Sequence, residues 1–269
     1  MQFVPPPPDV QPNVTRSLHR AVGLLRLLAS HTRIGWRLSD LAEHTGLDPA
    51  TVHRLLRALV DEGLASRVPG TRHYTLGPLA FTLGLAAAPY FDLGRPTQAR
   101  LAALAQALHG TVFLKLRSGV DSVCLARHDG VGPVPSLMLE VGGRRPLCLT
   151  AGGVAMLIQL PRSEQAAIEA DNRRSIERLD TRRWPGTRRM LRRSRQLGYA
   201  SNLGDIAAGI NAIGVPLMTS AGDPVASLTL ALAGAPLEQA QADALAARLR
   251  DEAEGMAPLL ARLRLGRVG

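Results

Sequence analysis

Residues 38–63 read LSDLAEHTGLDPATVHRLLRALVDEG, and this stretch decides the fold of the N-terminal part. Ser39 has the chemistry of an N-cap for a short helix carrying Leu41 and Ala42. Gly46 suits the left-handed conformation that ends such a helix. Asp48-Pro49 starts another, because Asp caps the first amides and Pro fits the first turn. This helix runs from about 49 to Gly63, with Val52, Leu55, Leu56 and Leu59 as its apolar stripe. Ala50, Arg54, Arg57 and Asp61 lie roughly opposite that stripe.

Working outward, Leu18, Val22, Leu25 and Leu28 recur at helical spacing and predict a preceding helix over 17–31. After Gly63, residues 64–68 alternate as a strand, Pro69-Gly70 is a turn, and 72–76 return as a second strand. The order is helix, helix, helix, hairpin, with a tight turn between the second and third helices. A solvated three-helix bundle would share much of this pattern. The turn chemistry and the hairpin point instead to a helix-turn-helix with a wing. In that geometry the last helix enters the major groove by its N-terminal side chains. The candidate DNA-contacting residues are therefore Ser39, Ala50, Thr51, His53, Arg54 and Arg57, with Arg67, Arg72 and His73 on the hairpin. Arg54 can pair in bidentate fashion with guanine, and the hairpin cations suit phosphate or the minor groove.

Composition is compatible with this. The chain has 269 residues, a formal net charge of +10 and 46% hydrophobic residues, enough for two cored domains. The basic residues are almost all arginine, Lys115 being the only lysine. A basic balance favours a polyanion partner, although a general Arg and Ala bias would also produce it. The two cysteines, Cys124 and Cys148, have no metal-site spacing and fit a reducing cytoplasm. No metal, cofactor or membrane span is expected, and the Pro-rich start does not resemble a secretory signal.

The rest of the chain alternates helix and strand. An apolar segment at 77–94 reads as a linker helix that packs on a partner chain. Strands are expected at 112–116, 122–126, 136–141, 199–202, 212–216 and 225–231. Helices are expected at 101–108, from Ala151 to Leu160, at 163–171 and 181–197, and finally at 237–263.

At this point the sequence resembles the isocitrate-lyase-regulator (IclR) family. The likeness rests on Leu38 to Ala42, Gly46-Leu47, Thr51 to Leu56, Leu59 to Leu64 and Tyr74 to Gly77. Farther on it rests on Val141-Gly142, Arg145 to Leu147, Thr150 to Gly153, Gly198 to Ala200 and Gly209 to Pro216. The resemblance implies an α+β protein of two domains: a winged helix-turn-helix joined by a linker helix to a GAF-like α/β effector-binding domain. The expected divisions are a disordered Pro-rich tail (1–14), the DNA-binding domain (15–77), the linker helix (78–94) and the effector domain (95–269). It further implies homodimers or tetramers on a double-stranded DNA operator.

The resemblance also implies a small organic acid as effector, held by Thr150, Ala151, Gly152, Asn202, Ala212, Thr229 and Ala231. Backbone amides at a helix start would favour an anion, Asn202 and Thr229 would supply neutral hydrogen bonds, and the alanines would leave space. These positions are less polar than in the glyoxylate-responding type, which suits an aromatic or longer-chain acid. The expected protein is a cytoplasmic, non-enzymatic regulator. The competing reading is an enzyme acting on a small acid, its N-terminal domain serving to dimerise it. No GxSxG, HExxH, Walker loop or dinucleotide fingerprint is present to support that.

Overall fold

The computed structural model describes residues 14–29, 35–91, 94–132, 134 and 140–260. The chain divides into two compact units, residues 1–89 and 90–269.

In the first unit α1 (Val14–Leu28) is followed by β1 (Trp36–Arg37), α2 (Leu38–Thr45) and α3 (Pro49–Asp61). Then come β2 (Ala65–Arg67), β3 (His73–Leu76) and α4 (Pro78–Phe91). Asp48 caps α3 as its chemistry requires, accepting from the Thr51 amide at 2.8 Å, with Pro49 in the first turn. Gly46 ends α2 at φ +67°, in the left-handed region. Val52, Leu56 and Leu59 of α3 are buried with Leu24, Leu28, Leu41 and Trp36. Each such side chain contributes roughly 1.5–3 kcal/mol of burial free energy, so the stripe read from sequence also anchors the helix.

Two expectations are corrected by the structure. Ser39 does not cap α2: the helix begins at Leu38, Arg37 stands at the cap position without a side-chain bond, and the Ser39 hydroxyl donates to Asp40 Oδ1 at 3.0 Å. The reason is Trp36–Arg37, which pairs with Tyr74 and His73 as a third strand and fixes the entry one residue early. The hairpin is thus a three-stranded sheet of order β1-β3-β2.

The second unit opens with α5 (Gly94–Ala107), β4 (Thr111–Ser118), β5 (Asp121–Asp129) and β6 (Arg144–Pro146). A single turn of 3-10 helix, Leu147–Leu149, leads into α6 (Ala151–Leu157), α7 (Arg162–Leu179) and α8 (Arg183–Leu197). The chain closes with β7 (Ala200–Leu203), β8 (Ile210–Met218), β9 (Pro224–Ala233) and α9 (Gln239–Leu260). The six strands form one antiparallel sheet of order β6-β5-β4-β9-β8-β7. Strand alternation divides the side chains between two layers. Val112, Leu114, Ile213, Val215, Leu228 and Leu230 pack with α5 and α9. Phe113, Cys124, Ala212 and Ala231 face the layer containing α6, α7 and α8.

The strand expected at 136–141 is not found as such. Residues 136–139 lie outside the described ones, Glu140 and Val141 are in no strand, and the edge strand is Arg144–Pro146. Residues 1–13 of the expected tail, 92–93 of the linker and 261–263 of the final helix also lie outside the described residues. Among the described residues, no helix is long and apolar enough to cross a membrane.

Candidate DNA-reading surface and effector cavity

Position 50 and its helical neighbours 53, 54 and 57 share one face of α3 by spacing alone. The structure leaves Ala50, His53, Arg54 and Arg57 exposed there and Thr51 half-buried at the edge. Arg57 reaches Asp61 only loosely, at 4.0 Å across two exposed side chains, an interaction worth a fraction of 1 kcal/mol. Arg54 forms no ion pair among the described residues, so its guanidinium remains available for an outside acceptor. On the wing Arg67 and Arg72 are exposed and His73 is half-buried. Arg67 Nε donates to the Thr71 carbonyl at 3.1 Å, which holds the side chain along the turn.

The second unit has a cavity of about 340 Å³ between the sheet and the start of α6. Thr150, Ala151, Asn202, Ala212, Thr229 and Ala231 all line it. Sheet register explains the convergence: Asn202 stands opposite Ala212, and Ala212 opposite Ala231. Gly152 does something different. A Cβ there would lie 2.6 Å from Thr229 Oγ1, 2.7 Å from Ser227 Oγ and 2.9 Å from Lys115 Cδ. The missing side chain lets α6 sit directly on the strands, and Gly152 supports the wall rather than lining it.

Two polar groups expected to face a ligand are engaged within the protein. Thr150 Oγ1 accepts from the Gly153 amide at 3.1 Å, so that amide is already satisfied. Asn202 Oδ1 accepts from the Asp205 and Ile206 amides at 3.0 and 3.3 Å, and its Nδ2 donates to the Ile210 carbonyl at 3.3 Å. Asn202 therefore holds the 203–210 loop, which brings Ile206, Ala207 and Ile210 to the cavity. The Ser227 and Thr229 hydroxyls, by contrast, are buried without a partner among the described residues.

Sequence reading missed the charges. Lys115, Arg145 and Arg183 all line the cavity, and among the described residues its lining includes no acid. Lys115 is only 3% exposed, and among the described residues it forms no ion pair. Its ammonium lies 5.7 Å from the centroid of the Phe113 ring. Burial lowers its pKa to about 8, opposed by the nearby Cys124 and reinforced by the positive charge of Arg145. The Arg145 pKa is lowered too, first by burial and then by Arg183. Arg183, exposed, is shared with Asp180 at 3.8 Å. One signal could have found Lys115: the only lysine of the chain sits two residues from Phe113 in an apolar strand, and so on the same face.

The arginine-rich segment 173–195 is largely paired. Arg173 bonds Glu177, Arg174 bonds Asp171, Arg182 bonds Asp180, Arg189 and Arg193 share Asp205, and Arg195 contacts Glu169. A solvated, internally compensated face accounts for that run. Cys124 and Cys148 are free and buried, and burial raises both thiol pKa values, that of Cys124 to about 11. Among the described residues no group of three or more His, Cys, Asp or Glu could hold a metal ion.

Comparison with known proteins agrees with this architecture. Residues 17–69 match the IclR helix-turn-helix domain, and residues 86–257 match the bacterial transcriptional regulator IclR C-terminal domain. The chain is 30% identical over 207 residues to the glycerol operon regulatory protein of Streptomyces coelicolor, covering 75% of this chain and 78% of that one. In fold it is similar to a putative IclR regulator from Silicibacter sp., with a TM-score of 0.71 at 22% identity, covering 90% of this chain and 95% of that one. It is also similar to an IclR homologue from Microbacterium hydrocarbonoxydans solved with 4-hydroxybenzoate, with a TM-score of 0.60 at 19% identity, covering 92% of this chain and 99% of that one.

Proposed function

This chain belongs to the IclR family of DNA-binding transcription regulators, and on that premise we propose that a small organic acid in the cavity beside α6 modulates its hold on a DNA operator. The observation that carries the effector half is the cavity itself: apolar walls, cations with no acid among the described residues, and room for a small ligand. That another chain of the same fold was solved with 4-hydroxybenzoate agrees with a small acid as ligand. The operator half rests on α3, whose exposed face presents His53, Arg54 and Arg57, and on the wing cations Arg67 and Arg72. Phosphate contacts from such groups set register and affinity, while Arg54 reads a base edge.

The working form is a homodimer in the cytoplasm. Phe81, Leu83 and Leu85 on α4 are 67%, 54% and 55% exposed in the single chain, an apolar surface of the kind that marks an association site. A symmetric dimer would present two α3 helices to a palindromic operator. The acid acts by binding one DNA-competence state better than the other, a difference of typically about 1–3 kcal/mol.

The test is a gel-shift titration of the full chain on the DNA upstream of its own gene, at two salt concentrations, with and without a panel of carboxylic acids. Salt-dependent, sequence-specific binding that one acid alters supports both halves. Specific binding that no acid alters removes the effector half. Absence of specific binding turns the reading toward an enzyme or a partner-binding protein.

A further inference from the structure

We infer that the cavity selects a ligand bearing two negative charges on an apolar body, a dicarboxylate, with Lys115 holding one acid group and Arg145 the other. This rests on the effector reading above and specifies the ligand class for that site.

The argument begins with what a buried ammonium requires. Removing a lone cation from water is strongly unfavourable unless an anion or a full set of acceptors replaces the solvent. Lys115 is 97% removed from solvent (3% exposed), and its neighbours across the sheet are Ser227 on β9 and Cys124 on β5. Among the described residues the Ser227 hydroxyl is buried without a hydrogen-bond partner, and the Cys124 thiol is held neutral at pH 7 by burial. The Phe113 ring face offers partial compensation at 5.7 Å. Among the described residues no carboxylate lines the cavity to complete it.

Arg145 is the second uncompensated cation. Among the described residues it forms no ion pair, and its Nη1 donates to the Arg144 carbonyl at 2.8 Å, which leaves its charge unneutralised. Arg183 repels it across the cavity and is itself partly answered by Asp180. A monocarboxylate shared between the buried Lys115 and the half-buried Arg145 would leave one positive charge without a counter-charge. Two carboxylates neutralise both. The walls between, Phe113, Leu149, Ile206, Ile210, Ala212 and Ala231, are apolar. They match an aliphatic or aromatic body better than a polyhydroxylated one, which would lose hydrogen bonds there.

The experiment is calorimetric titration of the full chain at pH 7 with near-isosteric pairs: butanoate against succinate, hexanoate against adipate, and 4-methylbenzoate against terephthalate. In at least one pair the dianion should bind tenfold or more tightly. In Lys115→Met, and separately in Arg145→Gln, that ratio should fall toward one, with cooperative thermal unfolding confirming that each variant is folded. If monoanions bind as tightly as their dianion partners, or if the ratio survives both substitutions, the inference is overturned while the effector reading stands. If no acid binds and none alters operator binding, the effector reading fails and takes this inference with it.

Discussion

The side chain of Lys115 passes beside Gly152 and carries its ammonium to 5.7 Å from the centroid of the Phe113 ring, without a carboxylate partner among the described residues. A group so placed should weaken the folded state, and the sign of its pH dependence follows. Its pKa is about 8 in the fold against 10.5 for an ordinary lysine. Between those values the unfolded chain binds the extra proton, so stability rises with pH across that window, by roughly 3 kcal/mol in total. Among the described residues the groups facing Lys115 are Cys124, Arg145, Ser227 and Thr229, with Gly152 above, and none is a carboxylate. Lys115→Met should therefore be more stable than the parent at pH 7, and the gap should close toward pH 10.5. Urea midpoints of both chains at pH 7, 9 and 10.5 check this. Taking the difference removes most of the opposing titration of Cys124 and Cys148, present in both chains. A constant gap would mean that Lys115 is compensated in the free protein.

Arg54 should behave in the opposite way, contributing to binding and little to stability. It is exposed on α3 and touches no partner among the described residues, so Arg54→Ala should leave the melting temperature within about a degree of the parent. Operator affinity should fall by roughly 1–3 kcal/mol, about tenfold to a hundredfold, with selectivity relaxed at one base pair. Gel-shift titration on the operator and on single-base variants measures both. Unchanged selectivity would move base reading to another face.

The cap of α3 gives a purely structural counterpart. Asp48 accepts from the Thr51 amide at 2.8 Å, and this bond holds its carboxyl below the usual carboxylate range. Asp48→Ala should cost about 1 kcal/mol of stability in the first unit, while Asp48→Asn or Asp48→Ser should recover most of it. Thermal unfolding of the three variants decides the matter. Equal melting temperatures for Ala and Asn would show that the bond is not formed in solution.

These cases also separate what the sequence could disclose from what it could not. The α3 stripe, its Asp48-Pro49 start and the Gly46 stop are local signals in contiguous residues, and they appear in the structure as read. Ser39 misled because its cap chemistry is local while the true helix start is set by Trp36 pairing with Tyr74, thirty-eight residues away. The six expected residues that line the cavity were reached through family motifs. The charges were not recognised as lining it, even Arg145 within a motif, because Lys115, Arg145 and Arg183 come from three elements that only the fold brings together. Asn202 shows the converse: its amide looked available for a ligand, but three backbone groups of its own loop already occupy it.

Backbone meets backbone beside the cavity at Gly214, where a Cβ would lie 2.8 Å from the Ala151 carbonyl oxygen and 2.9 Å from its carbon. Those atoms belong to the start of α6 and cannot swing aside as a flexible side chain could. Gly214 pairs with Thr229 across the strands, and Ala151 and Thr229 both line the cavity. Gly214→Ala must therefore push α6 off the sheet, at a cost of typically about 1–3 kcal/mol for overpacking. The same displacement carries Thr150 and Ala151 away from the ligand, so acid affinity should fall beyond what the loss of folded protein explains. Operator binding without acid should change less, because the first unit has its own core. Melting temperature and acid titration on the same preparation check the two effects together. A variant that is both as stable and as tight-binding as the parent would show that α6 does not rest on Gly214, and the cavity wall would then need another support.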